Sequence, residues 1–185
     1  SIGQEAPATG VCKALNKKDM IISTHRSHAH YLAKGGDLYS MLSELHGKKD
    51  GSASGLGGSM HLQDYNAGIV ASVPIVGSTI PIGVGIAMAN KKLNKKNIVT
   101  IFFGEGATEQ GVFFESLNFA KLHNLPILFV CENNLYSVYT NLLKRQPKQR
   151  NVVKVAKSLG ISASSHDGND VLKIYAISKK IRKQI

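Results

Sequence analysis

A nearly continuous apolar run, NIVTIFF at positions 97–103, precedes a stretch of helical spacing and then a second apolar run that ends at Cys131. A run of this kind has no wet face to offer, so it suits a parallel strand covered on both sides and not a half-solvated one. Between the two runs, GVFFESLNFAKLHN brings Phe113, Leu117 and Ala120 back at helical spacing, and Pro126 opens the second run. Strand, helix and strand within about forty residues predict an α/β fold, a parallel sheet flanked by helices.

Other segments extend the pattern. STIPIGVGIAMAN sets Ile80, Val84, Ala87 and Met88 on one helical face, with Ser78 or Thr79 as N-cap and Pro81 tolerated in the first turn. GQEAPATGVCKALN and DLYSMLSELHGK read as helices, the second started by Asp37. The glycine- and serine-rich DGSASGLGGSMHLQD fits an ordered loop beside a ligand and a flexible linker equally well on composition. LGISASSHDGNDVLKIYAISKKIRKQI reads as a strand, a turn at Asp167-Gly168 and a helix with Val171, Ile174 and Tyr175 on one face. With no internal repeat, residues 1–185 are expected to form a single domain.

The formal net charge of +11 invites a polyanion, but the lysines are scattered, and KKLNKK and KKIRK lack the interleaved aromatics that stack bases. A solvated surface or an acidic protein partner explains the charge, and no nucleic acid is expected. No stretch reaches eighteen apolar residues, and SIGQEAPATG has neither a basic start nor an apolar signal core, so no membrane association and a cytoplasmic location are expected. Cys12 and Cys131 are far apart in sequence, and Cys131, inside PILFVCE, reads as a reduced, buried thiol.

The chemistry is expected where strands end, because ligands of open parallel sheets bind at the carboxyl ends of strands. Glu105, between Gly104 and Gly106, stands at one such end, and Asn133-Asn134 at the next. A carboxylate, an amide oxygen and loop carbonyls make a hard oxygen set, suited to magnesium or calcium and poor for zinc. The two glycines admit close backbone approach, and N–H groups at Ala107 and Thr108 offer a seat for phosphate. Alone, G-E-G fits a helix-capping acid as well. His25, His28 and His30 lack a fourth ligand of matching spacing for zinc.

Twenty-six residues separate Gly106 from Asn133-Asn134, and this spacing closely resembles the thiamine-diphosphate motif, G-D-G followed by a similar interval and N-N. GQEA, HRSHAHYLAKG, GLGGSMH, the block from GEGATEQG to CENNLYS, and HDGND together resemble the alpha subunit of the thiamine-diphosphate-dependent first component of 2-oxo acid dehydrogenase complexes, the pyruvate, branched-chain and acetoin group. The transketolases share the metal motif but fit HRSHAH and GGSMH poorly. The resemblance implies a thiamine-diphosphate-binding fold, with thiamine diphosphate and Mg2+ as cofactors. It implies Glu105, the Asn134 side chain and the Tyr136 carbonyl as metal ligands. Gly104, Gly106, Ala107 and Arg26 would hold the diphosphate, the Pro74 and Val76 backbone would receive the aminopyrimidine, and Val138 would buttress the bent cofactor. The motif usually has Asp where this chain has Glu105, and His25 stands where Tyr is common, so His25 becomes a candidate phosphate donor. His28 and His61 are candidates for substrate handling, with a merely polar wall as the other reading.

The same resemblance implies oxidative decarboxylation of a small-molecule 2-oxo acid, or turnover of acetoin, with acyl transfer to a lipoyl-bearing acyltransferase component. The glutamate that activates the cofactor lies on a beta subunit in this family, so activity is expected only in an assembly such as an α2β2 heterotetramer. A non-catalytic assembly or regulatory subunit that keeps the fold is the alternative. Family members extend further at both ends, so the chain is expected to be a fragment or a truncated subunit. GGSMH favours pyruvate or acetoin, whereas Glu105 leans to the branched-chain branch.

Overall fold

Four parallel strands form the main sheet of the computed structural model, which describes residues 2–185. The first half of the chain contributes α1 (Glu5–Ala14), β1 (Met20–Thr24), α2 (His28–Lys34), α3 (Leu38–Leu45), β2 (Ile69–Val73) and α4 (Thr79–Lys92). The second half adds β3 (Val99–Gly104), α5 (Gly111–Leu122), β4 (Ile127–Glu132), a hairpin of β5 (Tyr136–Ser137) and β6 (Thr140–Asn141), and the helices α6 (Leu142–Arg145), α7 (Val152–Ser158) and α8 (Val171–Gln184). Short 3-10 turns cover Gly58–Met60 and Glu105–Glu109. The sheet order is β2-β1-β3-β4, so the first strand met in the chain lies inside the sheet and β3 beside it.

The apolar run behaves as a doubly covered strand must. Alternate residues of β3 point to opposite faces. Val99, Ile101 and Phe103 join Ile80, Val84, Phe113 and Leu117 of α4 and α5 in one core. Phe102, with Ile98 just before the strand, joins Val11, Ile21, Tyr31 and Leu128 in the other. Helices thus lie on both faces, which gives the α/β fold expected. Helix α4 comes close enough to the sheet that a Cβ on Gly83 would stand 2.5 Å from Ile101 Cδ1. Gly83→Ala is therefore expected to lower stability by about 1–3 kcal/mol through overpacking, read as a lower urea midpoint with an unchanged slope.

The carboxyl-terminal helix is tied to the sheet by one buried carboxylate. Asp19, fully buried, accepts Arg182 Nε at 3.0 Å and Arg182 Nη2 at 3.1 Å, and also the backbone N–H groups of Asn16 at 2.7 Å and Ile98 at 3.0 Å. The helices beginning near Asp37 and Val171 form where expected, each capped by an aspartate, Asp37 accepting from Ser40 N and Asp170 from Lys173 N. Ser78 is the N-cap position of α4, but its hydroxyl donates to Ile75 O and makes no bond into the helix.

One expected element is absent. The stretch between α7 and Asp167, where a strand was expected, has no regular structure. Ile161 and Ala163 do pack against the α4 and α5 core, but the Ile161 N–H bonds Ala156 O at 3.0 Å, closing the end of α7 and joining no ladder. Apolar content there reflects packing, not pairing.

Candidate functional site

The carboxyl ends of β1, β2 and β3, with the hairpin that follows β4, converge on one cleft of about 110 Å3. Thr24, His25 and Arg26 come from the end of β1, Val73 to Gly77 from β2, Phe103 to Ala107 from β3, and Tyr136 to Val138 from the hairpin that follows β4. Four segments distant in sequence meet because parallel strands all point the same way. Of the sequence-derived candidates, His25, Arg26, Pro74, Val76, Gly104, Glu105, Gly106, Ala107, Tyr136 and Val138 line this cleft. Asn134, His28 and His61 do not.

Glu105 is buried, and a buried carboxylate needs a cation or donors. Here its Oε1 lies 2.5 Å from Arg145 Nη2, while Arg145 Nη1 pairs with Glu109. The Gly104-Glu105-Gly106 turn is tightly approached by side chains from other elements. A Cβ on Gly106 would stand 3.2 Å from Ser137 Oγ and 3.6 Å from Arg145 Nη1, and one on Gly104 would stand 3.2 Å from Arg26 Nη2. The missing side chains let two guanidinium groups approach the turn from different elements.

Around the β4 end, each asparagine folds back on its own loop. Asn133 Oδ1 accepts from Leu135 N and Asn134 Oδ1 from Tyr136 N, both at 3.0 Å. These side-chain bonds fix the strand-to-hairpin turn, and each amide oxygen keeps a second lone pair. The hairpin itself is strained: Leu135 and Val138 have φ of 67° and 54°. A β-branched residue in the left-handed region is costly, and such strain gathers at ligand sites. Val138, Ile75 and Val76 leave apolar surface exposed at the rim of the cleft.

Among the described residues, no group of three or more His, Cys, Asp or Glu side chains is placed to hold a metal ion. An ion at Glu105 must therefore draw on amide, carbonyl and ligand oxygens, a set that suits magnesium. The three histidines that invited a zinc reading diverge. His25 faces the cleft. His28 Nε2 lies 3.0 Å from Ser59 Oγ. Buried His30 is held between Ser23 Oγ at 2.7 Å and Glu132 Oε1 at 3.1 Å and stacks on Phe102. Burial, and then the neighbouring Arg26 charge, lower the pKa of His25, so it faces the cleft as a neutral imidazole at neutral pH.

The glycine-rich loop is ordered, and a residue outside it makes it so. Glu44 of α3, almost wholly buried, accepts the Ala53 and Gly55 N–H groups on Oε2 and those of Gly57 and Gly58 on Oε1, at 2.7 to 2.9 Å. This pinning brings Ser59 onto His28, while His61 Nδ1 turns back to Gly57 O at 2.9 Å. Burial alone would raise the Glu44 pKa, but the four N–H donors outweigh it and hold the carboxyl below its ordinary 4.5. A lowered folded-state pKa gives stability that is complete above the unfolded value and lost as pH falls through the folded one. Glu44→Gln is expected to be less stable than the parent at neutral pH and to lose less stability than the parent as pH falls below about 4.5, read by urea unfolding across pH.

Both cysteines are free, and Cys131 is half-buried where full burial was expected. Burial pushes each thiol up to about 12, aided at Cys131 by the Glu105 and Glu132 charges, so neither is a nucleophile at neutral pH. Sequence reasoning passed over Arg145, Glu109 and Glu44. It also passed over β1, β2 and α7, although the apolar runs MIIST and IVASV and the Asn151 cap before VVKVAKS carried a signal for these.

Comparison with known proteins follows the same lines. The family model described as Dehydrogenase E1 component matches residues 1–184. The alpha subunit of acetoin:2,6-dichlorophenolindophenol oxidoreductase from Bacillus subtilis is 39% identical over 178 residues, 96% of this chain and 53% of that protein. The pyruvate dehydrogenase E1 component subunit alpha of Rickettsia typhi is 37% identical over 184 residues, covering 100% of this chain and 56% of that protein. The chloroplastic pyruvate dehydrogenase E1 component subunit alpha-3 of Arabidopsis thaliana is 38% identical, covering 96% of this chain and 43% of that protein. The chain spans about half the length of the curated relatives it matches.

Proposed function

Because this chain belongs to the Dehydrogenase E1 component family, we propose that it is the alpha subunit of a thiamine-diphosphate-dependent 2-oxo acid or acetoin dehydrogenase and holds the magnesium-diphosphate half of the cofactor. The observation that carries this reading is the convergence of Arg26, Pro74, Val76, Gly104 to Ala107, Tyr136 and Val138 on one cleft around a buried carboxylate that already meets a cation.

Glu105, the second lone pair of the Asn134 amide oxygen and the Tyr136 carbonyl would hold magnesium. Arg26 with its planar fork, the Gly106 and Ala107 N–H groups and the neutral His25 would hold the diphosphate. Main-chain groups of Pro74 and Val76 would orient the aminopyrimidine, and strained Val138 would press on the cofactor from the hairpin. When bound, thiamine diphosphate supplies the electron sink for decarboxylation, and the protein supplies binding and orientation. His28 and His61 lie outside the cleft wall, and we assign them to substrate handling at its approach. A beta subunit, in an α2β2 assembly, would complete the site, and a lipoyl-bearing component would take the acyl group. No helix among the described residues is long and apolar enough to cross a membrane, and two free thiols suit a reducing, cytoplasmic compartment.

The test is a calorimetric titration of thiamine diphosphate into the assembled protein, with magnesium and then with EDTA. Magnesium-dependent binding is expected. Binding that persists unchanged in EDTA would overturn the metal assignment, and no binding by the full assembly would overturn the function.

A further inference from the structure

The carboxylate assigned to the metal is engaged by this chain's own side chains. Arg145 uses its whole fork: Nη2 on Glu105 at 2.5 Å, Nη1 on Glu109, and Nε on Thr140 O at 3.3 Å. Gln146 Nε2 donates to Glu109 Oε1 at 2.8 Å, and Arg150 donates to Thr108 O. Three side chains of the segment 145–150 thus clasp the Glu105–Glu109 turn, which stands 36 to 42 positions earlier in sequence. The Arg145 and Glu105 side chains are 13% and 5% exposed, so the pair is shielded from solvent. Local helix preference does not explain this contact, because α6 ends at Arg145.

We propose that Arg145 is a built-in counter-ion for Glu105, and that the segment 142–150 is a latch which metal-bound cofactor releases. The proposal rests on reading Glu105 as a magnesium ligand. Glu105 has a second oxygen, yet a dication and a guanidinium on one buried carboxylate would repel at a few ångströms in a medium that screens poorly. Metal and Arg145 are therefore alternatives. The arrangement answers two needs with one residue: the carboxylate is never left buried without a cation, and the strap bearing Arg145, Gln146 and Arg150 stays closed until the cofactor brings its own charge. Cofactor affinity then includes the work of displacing Arg145, so removing that guanidinium tightens binding.

Hydrogen exchange on the chain assembled with its beta subunit separates the latch from the metal reading, with β3 and β4 amides reporting that each variant is folded. In EDTA the segment 142–150 is expected to be protected, and Glu105→Gln is expected to raise its exchange with no metal involved. Magnesium with thiamine diphosphate is expected to raise exchange in 142–150 while slowing it at 104–108, and Arg145→Gln is expected to bind that pair about tenfold more tightly. Greater protection of 142–150 on binding, or equal or weaker binding by Arg145→Gln, would overturn the latch and leave the metal site standing. If neither protein binds the pair, the metal reading fails and the latch that rests on it fails too, whereas raised exchange of Glu105→Gln in EDTA would then show only that Arg145 clasps the Glu105–Glu109 turn.

Discussion

Glu105→Ala is expected to weaken magnesium-dependent binding of thiamine diphosphate by about a hundredfold or more, since loss of an outer partner of a metal ligand already costs about 10–100-fold. The reason lies in the donor set. Glu105 is the only carboxylate assigned to the ion, and the Asn134 and Tyr136 oxygens are neutral, so no other protein charge there can compensate. Glu105→Asp, which matches the residue usual in the motif, is expected to keep the binding. The measurement is calorimetry on parent and variants in magnesium, with thermal unfolding as the check on folding. An alanine variant that binds within threefold of the parent, still in need of magnesium, would place the ion elsewhere.

Asp19→Ala is the substitution with the largest expected cost to stability, about 3–5 kcal/mol. Asp19 is wholly buried and satisfies two backbone N–H groups and both arms of Arg182. Its removal leaves the Ile98 donor unpaired and Arg182, only partly exposed, without its counter-charge. Because that pair holds α8 against the start of β1 and β3, amides of α8 are expected to lose hydrogen-exchange protection first. Arg182→Met, which keeps the apolar stem but strands the buried carboxylate, is expected to be similarly costly. Urea unfolding of both variants checks this, and a loss below about 1 kcal/mol in each would show that Asp19 is not the tie.

The part of the candidate cleft around Glu105 was legible because it is local in sequence. The order strand, G-E-G, helix, strand, N-N is one contiguous block, and both the β3 run and the α5 spacing repeat within a few residues. Arg145 was not legible. Nothing in LLKRQP marks it as a partner of Glu105 forty positions earlier, and only the hairpin of β5 and β6, turned by the Asn133 and Asn134 side chains, carries it back. Glu44 was hidden for a similar reason: within DLYSMLSELHGK it reads as one more helix acid, and its role depends on a loop that returns over α3. The strand expected after Gly160 failed because apolar residues there found a core to pack on but no strand edge to pair with.

By itself the sequence determined the layer architecture and the placement of Gly104-Glu105-Gly106 and Asn133-Asn134 at the ends of neighbouring strands. Each of these depends on periodicity or on residues within one short segment. Only the tertiary structure decided which cation Glu105 meets, which acid pins the glycine-rich loop and which carboxylate anchors the last helix, 163 positions from its arginine. Those pairings rest on buried charges, whose partners are set by where the backbone places them in a medium that does not forgive an unpaired ion, and no spacing along the chain encodes that place.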